Sequence, residues 1–223
     1  MATNVKNNQA IVLHSGGQDS TTCLAWAIKE FKKVEVISFD YGQRHKIELK
    51  GVKKICESLQ IPYQIIKIDI LKELTKNALT DKKIQIKAGK KGQLPSTFVE
   101  GRNLIFLSTV AIIAKTHHIP HLVIGVCQTD YSGYPDCRED FIKSLQKTLR
   151  LAMDYPFKIH TPLMHLTKGE TVKLMQKLGR LELLKYSHTC YEGKRLACKK
   201  CPACKLRLKG FNEAGVEDPI AYA

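Results

Sequence analysis

A parallel α/β sheet is the fold class that this chain predicts, and three observations predict it. Short apolar runs at 10–13, 34–39 and 63–68 alternate with stretches whose apolar residues recur at helical spacing. The links between those runs are long enough to be crossovers, so neighbouring strands run parallel and helices cover both faces. The first run also passes straight into Ser15-Gly16-Gly17-Gln18-Asp19-Ser20, a polar glycine turn that opens a helix. In such sheets ligands lie beyond the carboxyl ends of the strands, where this turn falls.

Each element has its own justification. Residues 10–13 (AIVL) are uniformly apolar and end at His14. Leu24, Ala27, Ile28 and Phe31 mark a helix over 21–31. Residues 34–39 (VEVISF) form the second strand, followed by Asp40-Tyr41-Gly42-Gln43. Ile47, Leu49, Val52, Ile55 and Leu59 mark a helix over 45–59; Pro62 closes it, and 63–68 is the third strand. Residues 71–93 break the rhythm. They are weakly apolar and carry Lys72, Lys76, Lys82, Lys83, Lys87, Lys90 and Lys91. They read as a solvated excursion, with a lid or an oligomer contact as the alternative. A strongly apolar helix over 104–116 follows Gly101-Arg102-Asn103, and 121–126 (HLVIGV) is the fourth strand. The polar, aromatic loop 128–138 lies past its carboxyl end, where substrate loops belong. Phe141, Ile142, Leu145, Leu149 and Ala152 mark a helix over 139–153, and 159–163 reads as a short last strand. Thr167 and Glu170 have the spacing of a capping box, which leaves Lys168 exposed on the first turn of the next helix.

At 223 residues with 43% hydrophobic content, the chain suits one domain with a small appendage. We place the boundary between 1–186 and 187–223. No run of 18 apolar residues exists, and MATNVKNNQA lacks an apolar signal region, so a cytoplasmic protein is expected. The net charge of +15 calls for a polyanionic partner or another explanation; nucleic acid, or ATP with an acidic substrate, would use it, and charge alone does not choose between them. Cys23, Cys56, Cys127 and Cys137 are scattered, whereas Cys190, Cys198, Cys201 and Cys204 lie within fifteen residues. Four thiolates so spaced can close a tetrahedron round one structural zinc ion. An iron–sulfur cluster is the rival, but a ferredoxin run keeps its fourth cysteine close downstream, whereas Cys190 lies upstream.

The glycine turn is an anion site by geometry. Free N–H groups at the helix N-terminus and the helix dipole point at whatever fills the turn. The sequence His14-Ser15-Gly16-Gly17-Gln18-Asp19-Ser20-Thr21-Thr22 is neither a Walker A loop nor a dinucleotide fingerprint. It resembles the SGGxDS loop of the PP-loop ATP pyrophosphatases, which cleave ATP between the α and β phosphates. Gly101-Arg102-Asn103 resembles the second nucleotide motif of that superfamily, with Glu100 in place of its proline. In the loop 128–138, Tyr131 and Tyr134 could sandwich a planar base, while Asp130 and Asp136 could accept from its N–H edge. Capping of local backbone is the structural alternative for those aspartates.

From HSGGQDSTTC through EGRN, DYSGYPDCR and PLMHLTKGE to CKKCPACKLRLKGF, the chain resembles the 7-cyano-7-deazaguanine synthase family over residues 10–211. The resemblance implies a Rossmann-like domain of the adenine nucleotide alpha hydrolase type with a zinc-binding C-terminal segment. It also implies an ATP-dependent ligase of queuosine biosynthesis, which converts 7-carboxy-7-deazaguanine and ammonia to the nitrile through adenylated carboxylate and amide intermediates. On that basis Asp19, Lys168 and Arg102 are the catalytic candidates, with Asp19 the magnesium contact. His14, Ser15, Gly16, Gly17, Gln18, Asp19, Ser20, Thr21, Thr22, Arg102 and Asn103 would hold ATP. Asp130, Tyr131, Tyr134 and Asp136 would hold the deazapurine, and the four clustered cysteines zinc. A homodimer is expected, with no membrane partner and no direct nucleic-acid contact. Two rivals remain at this level. One is a PP-loop enzyme acting on tRNA with Cys137 as sulfur carrier; the other is a zinc-ribbon nucleic-acid-binding protein with an inactive loop.

Overall fold

Strand β1 (Gln9–Leu13) has a core on each of its faces, which fixes it at the centre of a sheet. Ile11 and Leu13 point into one cluster with Ile37, Leu107 and Leu122, while Ala10 and Val12 point into another with Leu24, Val36, Val52 and Val123. The computed structural model describes residues 8–89, 93–129 and 134–223. These form a sheet with β2 (Lys33–Asp40), β3 (Tyr63–Lys67), β4 (His121–Ile124) and β5 (Lys158–His160), in the order β3-β2-β1-β4-β5. Every pairing is parallel, and Val12 lies opposite Val36 on one side and Val123 on the other. The strand order reverses between β1 and β4, which opens a crevice at their carboxyl ends.

Helices α1 (Gln18–Glu30) and α2 (Ile47–Ser58) cover the Ala10/Val12 face. The short α3 (Ile70–Leu74), α4 (Arg102–Thr116) and α5 (Glu139–Met153) cover the other. Helix α6 (Lys168–Lys177) starts with the expected capping box, Thr167 accepting from the Glu170 N–H and Glu170 from that of Thr167.

Three expectations need correction. The last strand ends at His160, because Pro162 has no N–H for the ladder and the Met164 N–H donates to the Thr161 carbonyl in a turn. Helices α1 and α4 begin at Gln18 and Arg102, earlier than apolar periodicity marked, since their first turns are polar and face the crevice. The segment 71–93 is no uniformly solvated excursion. Leu71, Ala78 and Leu79 are buried, and Asn77 Oδ1 accepts the Leu79 and Thr80 N–H groups in a compact turn. Lys90 and Lys91 lie outside the described residues.

The C-terminal part shares the body's core. Phe211 of α7 (Pro202–Ala214) packs with Ala25 of α1 and with Val172 and Met175 of α6. A Cβ on Gly210 would stand 2.5 Å from Lys168 Cγ, so α7 lies directly on the start of α6. Arg207 is 1% exposed and pairs with Asp218 through two bonds of 2.7 and 2.8 Å. It also donates to Ser187, Thr189 and the Leu184 carbonyl, so one guanidinium ties α7 to the preceding loop and to the following tail. Among the described residues no helix is long and apolar enough to cross a membrane. Replacing Asp218 by Asn strands the buried guanidinium. The variant should lose about 3–5 kcal/mol of stability, read from chemical denaturation against the wild-type chain.

Candidate active site

The glycine turn is braced from beneath by a neutral histidine. His14 is 1% exposed, and burial lowers its imidazole from 6.5 to about 4. Its Nδ1 accepts the Gly16 N–H at 3.0 Å, which puts the ring proton on Nε2, 3.3 Å from Thr21 Oγ1. Thr21 passes the chain on to the Gly17 carbonyl at 2.8 Å. Ser20 closes the other side, accepting the Ser15 N–H and donating to the Gly17 carbonyl, both at 3.1 Å. Gly17 caps α1 without any side-chain partner, so the first-turn N–H groups of the helix stay available to a ligand.

This turn forms one end of a cavity of about 290 Å³ at the carboxyl ends of β1, β2 and β4. Ser15, Gly17, Gln18, Asp19 and Ser20 line that end. The Lys168 ammonium donates to both Asp19 oxygens, at 2.9 and 2.7 Å, which places the first turns of α1 and α6 face to face. Gln18 is 3% exposed, and neither atom of its buried amide has a partner. The other end is aromatic. Tyr41 and Phe106 meet edge to face, with ring centroids 5.5 Å apart, and Tyr134 and Tyr191 stand nearby. The Tyr134 hydroxyl bonds Thr97 at 2.8 Å. Arg102 is hydrogen-bonded to Tyr41, whose phenol burial raises and the guanidinium partly lowers. One compartment thus joins a helix N-terminus with open N–H groups, the cations Lys168, Arg102 and Arg207, and an aromatic wall.

The four clustered cysteines lie behind this wall. All are buried, and their Sγ atoms fall within 4.8 Å of one another. A tetrahedral ion with metal–sulfur bonds of about 2.3 Å needs sulfurs about 3.8 Å apart, and Cys198 and Cys204 stand 4.0 Å apart. The N–H of Cys198 donates to Cys190 Sγ and that of Cys201 to Cys198 Sγ, contacts that favour thiolates. The residues fit a closed, all-protein metal centre. His188 links it to the turn, since its side chain bonds Cys190 and its N–H donates to the Gly16 carbonyl at 2.9 Å.

The sequence model of the family described as queuosine biosynthesis protein QueC matches residues 9–215. The chain belongs to the QueC family. A 7-cyano-7-deazaguanine synthase of Chromobacterium violaceum is 51% identical over 218 residues, 96% of this chain and 93% of that relative. One of Bacillus subtilis is 51% identical over 211 residues, 94% of this chain and 96% of the relative. Among solved structures, a 4-thiouridine synthetase in complex with RNA and ATP has the same fold, with a TM-score of 0.53 and 16% identity. The alignment takes in 95% of this chain and spans about half (51%) of that one.

The sequence-predicted residues of this QueC-family chain divide by place. His14, Ser15, Gly17, Gln18, Asp19, Ser20, Arg102, Asn103, Tyr134 and Lys168 line the one cavity. Gly16, Thr21 and Thr22 stand behind it, and the Thr22 hydroxyl donates to the Gln18 carbonyl. Asp136 lies outside the lining and caps α4, its Oδ2 accepting the Asn103 N–H at 3.1 Å while Asn103 Nδ2 donates back to the Asp136 carbonyl. Asp130 and Tyr131 lie outside the described residues. Sequence reasoning missed Tyr41, His45, Glu48 and Tyr191. The signal for the first was present, because Asp40-Tyr41-Gly42-Gln43 follows a strand's carboxyl end as the loop 128–138 does.

The His14 brace makes stability depend on pH. Its folded value is depressed, so below about 6.5 the unfolded chain binds a proton that the native one refuses. Stability should fall from there towards pH 4, by up to ~1.4 kcal/mol per unit. Urea midpoints at several pH values should show a shallower slope for His14→Gln.

Proposed function

We propose that the chain is an ATP-dependent ligase that converts 7-carboxy-7-deazaguanine and ammonia to 7-cyano-7-deazaguanine. The observation that carries this reading is a cavity that brings together an anion-binding turn, an aromatic wall and the cations beside them. QueC family membership and relatives named for this reaction support it.

A carboxylate oxygen is a poor leaving group, so activation comes first. The α1 N-terminus, Gln18 and Lys168 would hold the ATP phosphates, with Arg102 and Asn103 on the opposite wall. Asp19 would hold magnesium, which neutralises phosphate charge when bound. The substrate carboxylate then attacks the α phosphorus and pyrophosphate leaves. Ammonia displaces AMP to give the amide, and a second adenylation on the amide oxygen lets dehydration give the nitrile. The protein contributes position and charge, and no protein nucleophile is needed. Cys137 suits the role of sulfur carrier poorly. Burial and the adjacent Asp136 push its thiol up to about 12, and its sulfur accepts from Asn103.

The ion of the cysteine centre is zinc in this reading, and segment 187–223 is a metal-held wall that supplies Thr189, Tyr191, Ala203, Leu206 and Arg207 to the cavity. The chain acts as a homodimer, a reading supported by Leu104 and Ile112, which α4 leaves exposed. Purified protein should carry one equivalent of zinc by elemental analysis, and Cys201→Ser should lose it together with much of the folded population. With ATP, magnesium and ammonium, pyrophosphate release should depend on 7-carboxy-7-deazaguanine and yield the nitrile by mass spectrometry. Lys168→Met should lower that rate by about 10²–10³-fold. Pyrophosphate release without amide or nitrile would overturn the assignment.

A further inference from the structure

The cavity holds a second polar centre that phosphate chemistry leaves unused. His45 and Glu48 lie one helical turn apart at the entrance to α2, with His45 Nε2 3.2 Å from Glu48 Oε2. Both residues line the cavity. His45 is 4% exposed, and its other ring nitrogen, Nδ1, is buried with no hydrogen-bond partner. A buried polar atom left unpaired is costly, and such atoms call for a functional explanation. With Nε2–H directed at Glu48, the lone pair falls on Nδ1. A ring base oriented by a carboxylate is the arrangement that proton abstraction uses.

Other basic groups of the described lining are engaged. His14 uses both nitrogens inside the turn, and Asp19 is held by Lys168. The Cys127 thiol donates to the Leu166 carbonyl. The surroundings also suit a base. Tyr191 stands with its ring 6.3 Å from that of His45, Glu48 is close enough to act electrostatically on Tyr41, and Tyr41 contacts Arg102. The Glu48 backbone meets Gly16, where an added Cβ would lie 2.2 Å from the Glu48 carbonyl, so the pair adjoins the phosphate turn.

We propose that His45 is the proton acceptor for the nitrogen steps of the reaction and that Glu48 positions it. This rests on the ligase reading above. Ammonium gives one proton to His45 Nδ1, and the ammonia formed attacks the acyl adenylate. The C–N bond forms, the C–O bond to AMP breaks, and the second proton leaves the adduct with the AMP phosphate or solvent. The imidazolium returns that proton to solvent before the second half of the reaction. Adenylation of the amide oxygen acidifies the nitrogen, one N–H proton passes to solvent, and His45 Nδ1 takes the other as the C–O bond to AMP breaks and the C≡N bond closes. The imidazolium again returns its proton to solvent before the next turnover.

The test compares wild type, His45→Gln and Glu48→Gln with two nucleophiles. Ammonium needs a base, whereas hydroxylamine is already uncharged at neutral pH and traps the acyl adenylate as a hydroxamate. In His45→Gln, nitrile formation should fall by about 10²–10⁴-fold, with hydroxamate formation reduced far less. Glu48→Gln keeps a side chain beside Nε2 without the carboxylate that orients the ring, so its kcat for nitrile should fall while the KM for 7-carboxy-7-deazaguanine stays unchanged. That split decides the matter if His45→Gln fails to fold. The proposal is overturned if nitrile formation in His45→Gln stays near the wild-type rate, or if hydroxamate falls in step with nitrile; the latter would make the pair a holder of the heterocycle. A KM that rises with kcat unchanged in Glu48→Gln also overturns it. Wild-type protein that makes no nitrile at all brings down the ligase reading itself.

Discussion

Gly16 is the point on which the rest of the site depends. Its N–H is taken by His14, its carbonyl receives the His188 N–H, and it sits at φ 88° with no space for a Cβ against the Glu48 carbonyl. Three parts of the chain far apart in sequence therefore meet at one residue: the turn after β1, the start of α2 and the loop that leads to the cysteines. Only glycine combines that dihedral with that proximity. The turn's shape is consequently set from outside as much as by its own hydrogen bonds.

This convergence explains what the sequence could and could not disclose. The sheet was legible because strand β1 and its neighbours are buried on both faces and carry nothing but apolar residues at their centres. The capping box at Thr167 and Glu170 was legible because its chemistry is local. Two parts of the same end of the site, Ser15 to Ser20 and Lys168, sit at such local signals. Tyr191, by contrast, reaches the cavity only because α7 folds back onto α6 through Gly210 and Phe211. His45 and Glu48 were hidden among the apolar markers of α2, whose spacing speaks for the buried face and is silent about the polar one. Asp136 was read as a ligand contact because its loop follows β4, but the orphan N–H groups of α4 claim it. Leu71 and Leu79 fell inside a lysine-rich stretch whose average polarity masked two buried side chains.

Burial also divides the charges by task. Arg207 is sealed with Asp218 and serves the architecture, whereas most of the lysines that give the chain its net charge of +15 stay on the surface. Of the cations at the cavity, Lys168 faces a carboxylate and Arg102 a phenol. Each is thereby kept oriented without being neutralised beyond the reach of an incoming anion.

The Lys168–Asp19 pair has a kinetic side. On the proposed reaction, each nitrile formed requires two pyrophosphates to depart, and a lysine with no alternative partner would retain each one. Asp19 is a built-in competitor for the same ammonium, at 2.7 Å and without any diffusion step. Whenever a departing anion loosens its hold, the carboxylate can reclaim the lysine. The pair gives up some ground-state affinity for ATP, and in return the turnover cycle has a resting state to which it returns unaided.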